Sequence, residues 1–160
     1  FKGLASHLRQ ITPSLPILIS PFYATRSILG DKCLPPEEFK QSWRELLGAV
    51  KGLVDIMAFQ DGVCVNAEFP EYRAAVKSCA DEFGVEFWNN VETFDRNLSY
   101  KFPPRDMLVL RNRLAMAEPY VAKHITFEFS HFMSPNSCFP GAANLYRRYC
   151  ETVLGKKSPF

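Results

Sequence analysis

Four short apolar segments alternate with five helix-like segments along this 160-residue chain. The apolar segments cover residues 15–23, 54–62, 85–94 and 124–131, and the helix-like segments cover residues 1–13, 35–53, 70–84, 104–121 and 141–155. Strands separated by single helices are typical of repeated βαβ units, which form parallel sheets. Near-continuous apolar strands also indicate a sheet that is covered on both faces. The alternation therefore predicts an α/β protein with four parallel strands.

The helix-like segments carry recognisable start and stop signals. Pro35 and Pro36 suit the start of a helix, and the acidic pair Glu37 and Glu38 favours the positive end of its dipole. Gly84 is the last residue of the third helix-like segment, at a position where a left-handed C-cap is common. In the second segment, the predicted buried stripe consists of Phe39, Trp43, Leu46, Val50 and Leu53.

Two architectures fit this order, namely half of a TIM-type (β/α)8 barrel or a small, doubly wound open sheet. The doubly wound alternative lacks support from a phosphate loop, because neither GxGxxG nor GxxxxGK[ST] occurs in the sequence. The strand ends carry polar residues instead of glycines. We therefore favour the half-barrel and predict that residues 1–160 form the C-terminal half of such a domain.

The first residues of the chain bear on how complete this domain is. The sequence opens inside an amphipathic segment with Leu4, Leu8 and Ile11 on one helical face, so we expect a truncated N-terminus. Half of a parallel barrel leaves two open sheet edges, which are a hazard for aggregation. The expected partner at these edges is the missing half-barrel or a second copy of the chain.

Bulk composition excludes several classes of partner. The net charge is only +2, which gives no electrostatic reason to expect nucleic acid. No run of about 18 apolar residues occurs, so we expect no membrane-spanning helix. The five cysteines match neither a CxxC pair nor a zinc spacing, and they leave the compartment open. We assign no metal ligand and no cofactor.

The alternation of side chains along a strand predicts which polar residues share a face. In the last strand, Glu128 falls on one face with Thr126 and Ser130, whereas Ile125, Phe127 and Phe129 fall on the other. The apolar set suits packing beneath helices, so Glu128 is predicted to point into the barrel at the depth of Glu92. The full predicted inner set is Ser20, Gln60, Asn90, Glu92, Glu128 and Ser130.

Carboxylates or amides end three of the four predicted strands, at the edge where α/β proteins place their chemistry. Two facing carboxyl groups can act as acid and base, because burial and mutual repulsion separate their pKa values. Cleavage of a glycosidic bond requires such a pair. We predict the catalytic residues to be Asp61, Glu92 and Glu128. The predicted substrate-binding residues are Ser20, Tyr23, Gln60, Trp88, Asn90, Ser130 and His131.

The strings LISPFY, VDIMAFQDGV, WNNVETF and FEFSHFMSP, in this order, resemble an uncharacterised bacterial family of glycoside-hydrolase-like (β/α)8 barrels, a domain of unknown function. The resemblance covers nearly the whole chain, as the C-terminal half of such a domain. It implies a role in carbohydrate processing, often in exported proteins, and it places Gln60, Asp61, Glu92 and Glu128 at polar strand ends. The chain departs from the family at Cys64, where a small residue such as glycine is expected.

Three functions stay open at this point. The first is a glycoside hydrolase that uses two of the three carboxylates Asp61, Glu92 and Glu128. The second is a catalytically silent barrel in which the same residues bind sugar hydroxyls. The third is a metal-assisted hydrolase with Glu92, Glu128 and His131 around a divalent ion. Structural roles also remain for Glu128 as an ion-pair partner and for Asp61 in a turn with Gly62.

Overall fold

All four strands are parallel and pair in the order of the sequence, as one sheet. The computed structural model describes residues 2–62, 66–96, 99 and 101–157, so that Cys64 lies outside the described residues. The strands are β1 (Leu18–Ile19), β2 (Ile56–Gln60), β3 (Glu86–Glu92) and β4 (Lys123–Phe127). The prediction of four parallel strands in sequential order is confirmed.

The helices follow the predicted alternation, with two short additions. The longer helices are α1 (Lys2–Ile11), α3 (Pro36–Ala49), α4 (Phe69–Phe83), α5 (Met107–Ala117) and α7 (Ala142–Thr152). The short helices are α2 (Arg26–Leu29) and α6 (Phe129–Phe132), and 3-10 turns cover Gly30–Lys32 and Asn66–Glu68. None of the helices in the described part of the chain has the length and apolar character needed to cross a membrane.

Local signals in the sequence explain where the longer helices begin and end. Glu37 and Glu38 lie in the first turn of α3, directly after its N-terminal proline. Gly84 ends α4 with φ of 67° and ψ of 34°, the left-handed conformation that was predicted for it. The predicted stripe on α3 is wrong at Leu46, which is 40% exposed. Leu47 is buried instead, because it continues the row of every fourth residue that starts at Phe39.

The helix-facing side of the sheet packs against an aromatic cluster centred on Phe59. The ring of Phe59 lies 4.9 Å from Tyr23, 4.9 Å from Trp43 and 5.9 Å from Phe87, between ring centroids. A second cluster joins β3 to α5 and α7, and it contains Val91, Met107, Leu110, Met133 and Leu145. Both clusters lie on the same side of the sheet, as right-handed βαβ crossovers in sequential order require.

The register of β4 corrects one part of the sequence-based prediction. Glu92 pairs with Phe127, and Val91 pairs with Thr126. Because paired residues of parallel strands share a face, Phe127 lies on the face of Glu92 and Thr126 lies on the helix side. The predicted faces of β4 are therefore reversed. The phenyl ring of Phe127 is tolerated on the polar face because β4 is at the edge of the described sheet, where this side chain remains 48% exposed.

β4 also ends earlier than predicted. It stops at Phe127, the peptide bond between Phe127 and Glu128 is cis, and Glu128 becomes the N-cap of α6. Ser130 and His131 lie on α6 and are exposed. The prediction that strand alternation directs Glu128 and Ser130 into the barrel is therefore wrong. The physical reason is local, since a carboxylate that accepts backbone N–H groups favours a helix start over a continued strand.

Candidate active site

Three polar side chains near the C-terminal ends of β1, β2 and β3 form a hydrogen-bonded row on the face opposite the helices. Asn90 Nδ2 donates to Ser20 Oγ at 2.9 Å, and Gln60 Nε2 donates to the Ser20 carbonyl at 2.8 Å. The structure thus brings together Ser20, Gln60 and Asn90, as strand alternation predicted. Asn90 Oδ1 is buried and lacks a hydrogen-bond partner among the described residues.

Glu92 ends β3 on the same face and is only 2% exposed. Its Oε2 atom is buried and has no hydrogen-bond partner within the described residues. Burial raises the pKa of Glu92 above its ordinary value, and repulsion from Asp61 raises it further. The positive charges of Arg96, Arg105 and Arg113 oppose this shift without cancelling it. Glu92 is therefore a carboxyl group that holds its proton to higher pH than usual.

Asp61, which follows β2, is fully buried and lies among arginines. Its Oδ2 atom is 3.1 Å from Arg113 Nη1 and 3.7 Å from Arg105 Nη1. Its Oδ1 atom accepts the backbone N–H of Glu92 at 2.9 Å. Both carboxylate oxygens of Asp61 thus contact protein groups, namely one backbone N–H and two guanidinium groups. Its carboxylate holds the end of β3 and acts on Glu92 by charge.

Gly62 and Phe22 cover the carboxyl group of Glu92. Gly62 has φ of 43°, a left-handed conformation that suits glycine, and a Cβ built there would lie 3.6 Å from both Glu92 Oε1 and the Phe22 ring. The turn between Asp61 and Gly62 was one of the structural interpretations of this pair. It also brings the chain close over Glu92, which contributes to the burial of that side chain.

Glu128 is placed one residue beyond β4, beside the end of β3. The side-chain hydroxyl of Thr93 donates to the Glu128 carbonyl at 2.9 Å, which ties the two strand ends together. Glu128 Oε1 accepts the backbone N–H of His131 at 2.8 Å and also contacts His131 Nδ1. Desolvation raises the pKa of Glu128, but the hydrogen bonds and charge of His131 outweigh it and hold the pKa below its ordinary value. Glu128 is therefore charged over most of the pH range.

An aromatic cleft of about 400 Å³ opens beside Glu128. Its lining residues are Phe94, Arg96, Phe102, Phe127, Glu128, His131 and Phe132. Phe94 is the centre of the aromatic wall, with ring centroids 5.3 Å from Phe102, 6.2 Å from Phe127 and 4.6 Å from Phe132. The sequence-based prediction did not include this cleft, because three of its rings come from loops and a short helix that have no strand alternation.

Other predicted binding residues lie elsewhere. Tyr23 is fully buried in the aromatic core around Phe59 and lines no part of the site. Trp88 lies on the polar face but near the start of β3, where its Nε1 atom donates to Glu86 at 2.7 Å and Lys123 Nζ lies 4.3 Å from its ring. Ser130 is exposed on α6. Tyr23 is therefore a core residue, whereas the binding role of Trp88 stays a prediction.

Arginines were the functional side chains that the sequence-based prediction missed. Arg105 and Arg113 are buried at 4% and 8% exposure, and both approach Asp61. Their helix-start and helix-interior positions gave no signal of burial. In the residues that the structure describes, no group of three or more His, Cys, Asp or Glu side chains is arranged to hold a metal ion.

Comparison with known proteins identifies the family. Residues 1–139 match the family described as Domain of unknown function (DUF4434), and the chain belongs to that family. No curated protein matches this sequence.

A solved structure shares this fold. It is the crystal structure, at 1.80 Å resolution, of a protein named a "putative alpha-L-fucosidase" from Bacteroides thetaiotaomicron. That protein is 34% identical to this chain, with a TM-score of 0.86 over 94% of the chain. The match covers 49% of the Bacteroides protein, so this chain spans about half the length of the solved structure that it matches.

Proposed function

We propose that this protein is a glycoside hydrolase in which Glu92 is the general acid and Glu128 is the charged carboxylate. The observation that carries the proposal is the contrast between two carboxyl groups at neighbouring strand ends, since Glu92 is buried near Asp61 whereas Glu128 accepts hydrogen bonds from His131. Burial raises the pKa of Glu92, and the His131 contacts lower that of Glu128. Glycosidases need one protonated and one ionised carboxyl group on either side of the scissile bond.

The comparisons support the reaction class. The Bacteroides protein carries the name of a fucosidase and has the same fold at 34% identity, which makes an α-L-fucoside the first substrate to test. In this proposal, the polar row of Ser20, Gln60 and Asn90 holds the carbohydrate.

The proposed mechanism assigns a separate task to each charged group. Glu92 protonates the departing glycosidic oxygen, because burial raises its pKa and favours the protonated form. Glu128, which His131 keeps ionised, has one of two tasks. It attacks the anomeric carbon and forms a glycosyl ester that water then hydrolyses, or it takes the proton of the water that attacks this carbon. Asp61 is a positioning residue that holds the backbone of Glu92 and favours its protonated state.

We also propose that this sheet is half of a (β/α)8 barrel. The helices pack on one side of the four parallel strands, and the polar row occupies the other side, where a barrel has its interior. In the described residues, β1 and β4 each pair with one strand only. Further strands, from the rest of the protein or from a second copy, would cover these edges.

Hydrolysis of aryl glycosides, starting with an aryl α-L-fucoside, is the experiment that tests the proposed function. We expect a bell-shaped dependence of kcat/KM on pH. Activity should fall as the pH decreases through the lowered pKa of Glu128, and it should fall as the pH increases through the raised pKa of Glu92. A profile without the alkaline limb would contradict the assignment of Glu92 as the acid.

A catalytically silent carbohydrate-binding protein is the second candidate. The observation that favours it is the position of Glu128, whose carboxylate is already used as the N-cap of α6 and as the partner of His131. This candidate predicts that sugars bind without turnover. Calorimetric binding of a glycoside that stays intact over hours would support it over the hydrolase.

A further inference from the structure

Arg96 places a positive charge at an otherwise aromatic cleft. The cleft contains four phenylalanine rings, and its remaining lining residues are Arg96, Glu128 and His131. Its volume of about 400 Å³ falls in the range of small-molecule sites. Phenyl rings cannot bond sugar hydroxyls, but they stack against the C–H face of a pyranose ring. The wall therefore suits a sugar whose polar groups are directed elsewhere.

Two acidic neighbours of Arg96 already have partners, and the charge of Arg96 also acts on the buried carboxyl group of Glu92. Asp95, the adjacent residue, accepts a hydrogen bond from Arg105 Nε at 2.9 Å. Glu128, across the cleft, is bonded to His131. Arg96 itself is exposed and takes part in none of the hydrogen bonds or ion pairs that are found among the described residues. Its guanidinium group is thus the cleft's available partner for an anion.

The planar fork of a guanidinium group matches a carboxylate or a sulfate ester with two parallel hydrogen bonds. A neutral sugar would use the aromatic wall but leave Arg96 without a partner.

We infer that the aromatic cleft binds an anionic pyranoside, with the C–H face of the ring against the phenylalanines and its carboxylate or sulfate on Arg96. This inference rests on the proposed function, because it names the substrate class for the same site. It separates this protein from hydrolases that act only on neutral sugars.

The test compares the binding of matched carbohydrates to the intact protein with Glu92→Gln, a substitution that is expected to slow turnover. The probes are oligogalacturonate with its carboxyl-reduced form, and a sulfated fucan oligosaccharide with its desulfated form. We expect at least one anionic form to bind tenfold or more tightly than its neutral derivative. Arg96→Gln should remove this preference, and Arg96→Lys should restore part of it. The pair that shows the preference distinguishes a carboxylate from a sulfate.

Arg111→Gln is the matched control, because Arg111 is an exposed arginine on α5 and is not among the cleft residues. This variant removes the same charge and should keep the preference. Equal binding of charged and neutral forms, absence of binding by both anionic probes, or an unchanged preference in Arg96→Gln would each overturn the inference. A preference that depends on Arg96, together with no hydrolysis of any glycoside by the wild type, would support the inference and contradict the proposed reaction.

Discussion

Replacement of Glu92 by glutamine should lower kcat about 10²- to 10⁴-fold, the usual contribution of a positioned acid. Glutamine keeps the shape of the side chain but has no proton to give to the leaving group. The loss should be smaller for a dinitrophenyl glycoside, whose leaving group departs without protonation. Steady-state kinetics with aryl glycosides of increasing leaving-group pKa would measure this difference. A uniform loss across the series would contradict the assignment.

The same variant should be more stable than the wild type at neutral and alkaline pH. The pKa of Glu92 is raised in the folded protein, so protonation of Glu92 stabilises the folded state. This contribution to the unfolding free energy is complete below the unfolded-state pKa, and it disappears as the pH rises through the folded-state pKa. The difference in unfolding free energy should therefore vanish at low pH. Glu86→Gln, at the exposed start of the same strand, is the control and should change neither activity nor this pH dependence.

Replacement of Asp61 by asparagine should lower the free energy of unfolding by about 3–5 kcal/mol, as expected when a buried ion pair loses one partner. The variant leaves Arg105 and Arg113 buried without their common carboxylate. Chemical denaturation of the purified variant measures the loss. The same substitution should also lower the pKa of Glu92, since the repulsion between the carboxylates of Asp61 and Glu92 disappears.

Asp81→Asn is the matched control for this prediction. Asp81 forms an exposed ion pair with Lys77 at 2.6 Å on α4, and surface pairs contribute only about 0–1 kcal/mol. If Asp61→Asn lowers the free energy of unfolding by no more than this control does, the buried ion pairs of Asp61 do not hold the end of β3 in place.

Much of the fold follows from patterns that the sequence displays directly. The alternation of apolar strands with helix stripes predicted the order of elements, and Gly84 predicted the end of α4. Strand alternation also brought Ser20, Gln60 and Asn90 to one face, because β1, β2 and β3 continue regularly up to those residues. In these regions local preferences and tertiary packing agree.

The region around Glu128 could not be predicted in the same way. Residues 124–131 look like one alternating strand, but the strand ends at Phe127 and the next residues form a helical turn that Glu128 caps. At the edge of a sheet, a helix start with one hydrogen-bonded N-cap competes with continued strand pairing. The alternation of apolar and polar residues does not predict which of the two structures forms. The arginines around Asp61 were missed for a related reason, since their burial depends on one distant carboxylate.

The most direct test of the account is an NMR titration that follows the carboxyl carbons of Glu92 and Glu128 in the intact protein. It requires no knowledge of the substrate. Glu92 should titrate above the ordinary glutamate pKa and Glu128 below it, so that between these two values Glu92 is protonated while Glu128 is charged. Equal pKa values, or the reverse order, would contradict the assignment of Glu92 as acid and Glu128 as the charged carboxylate.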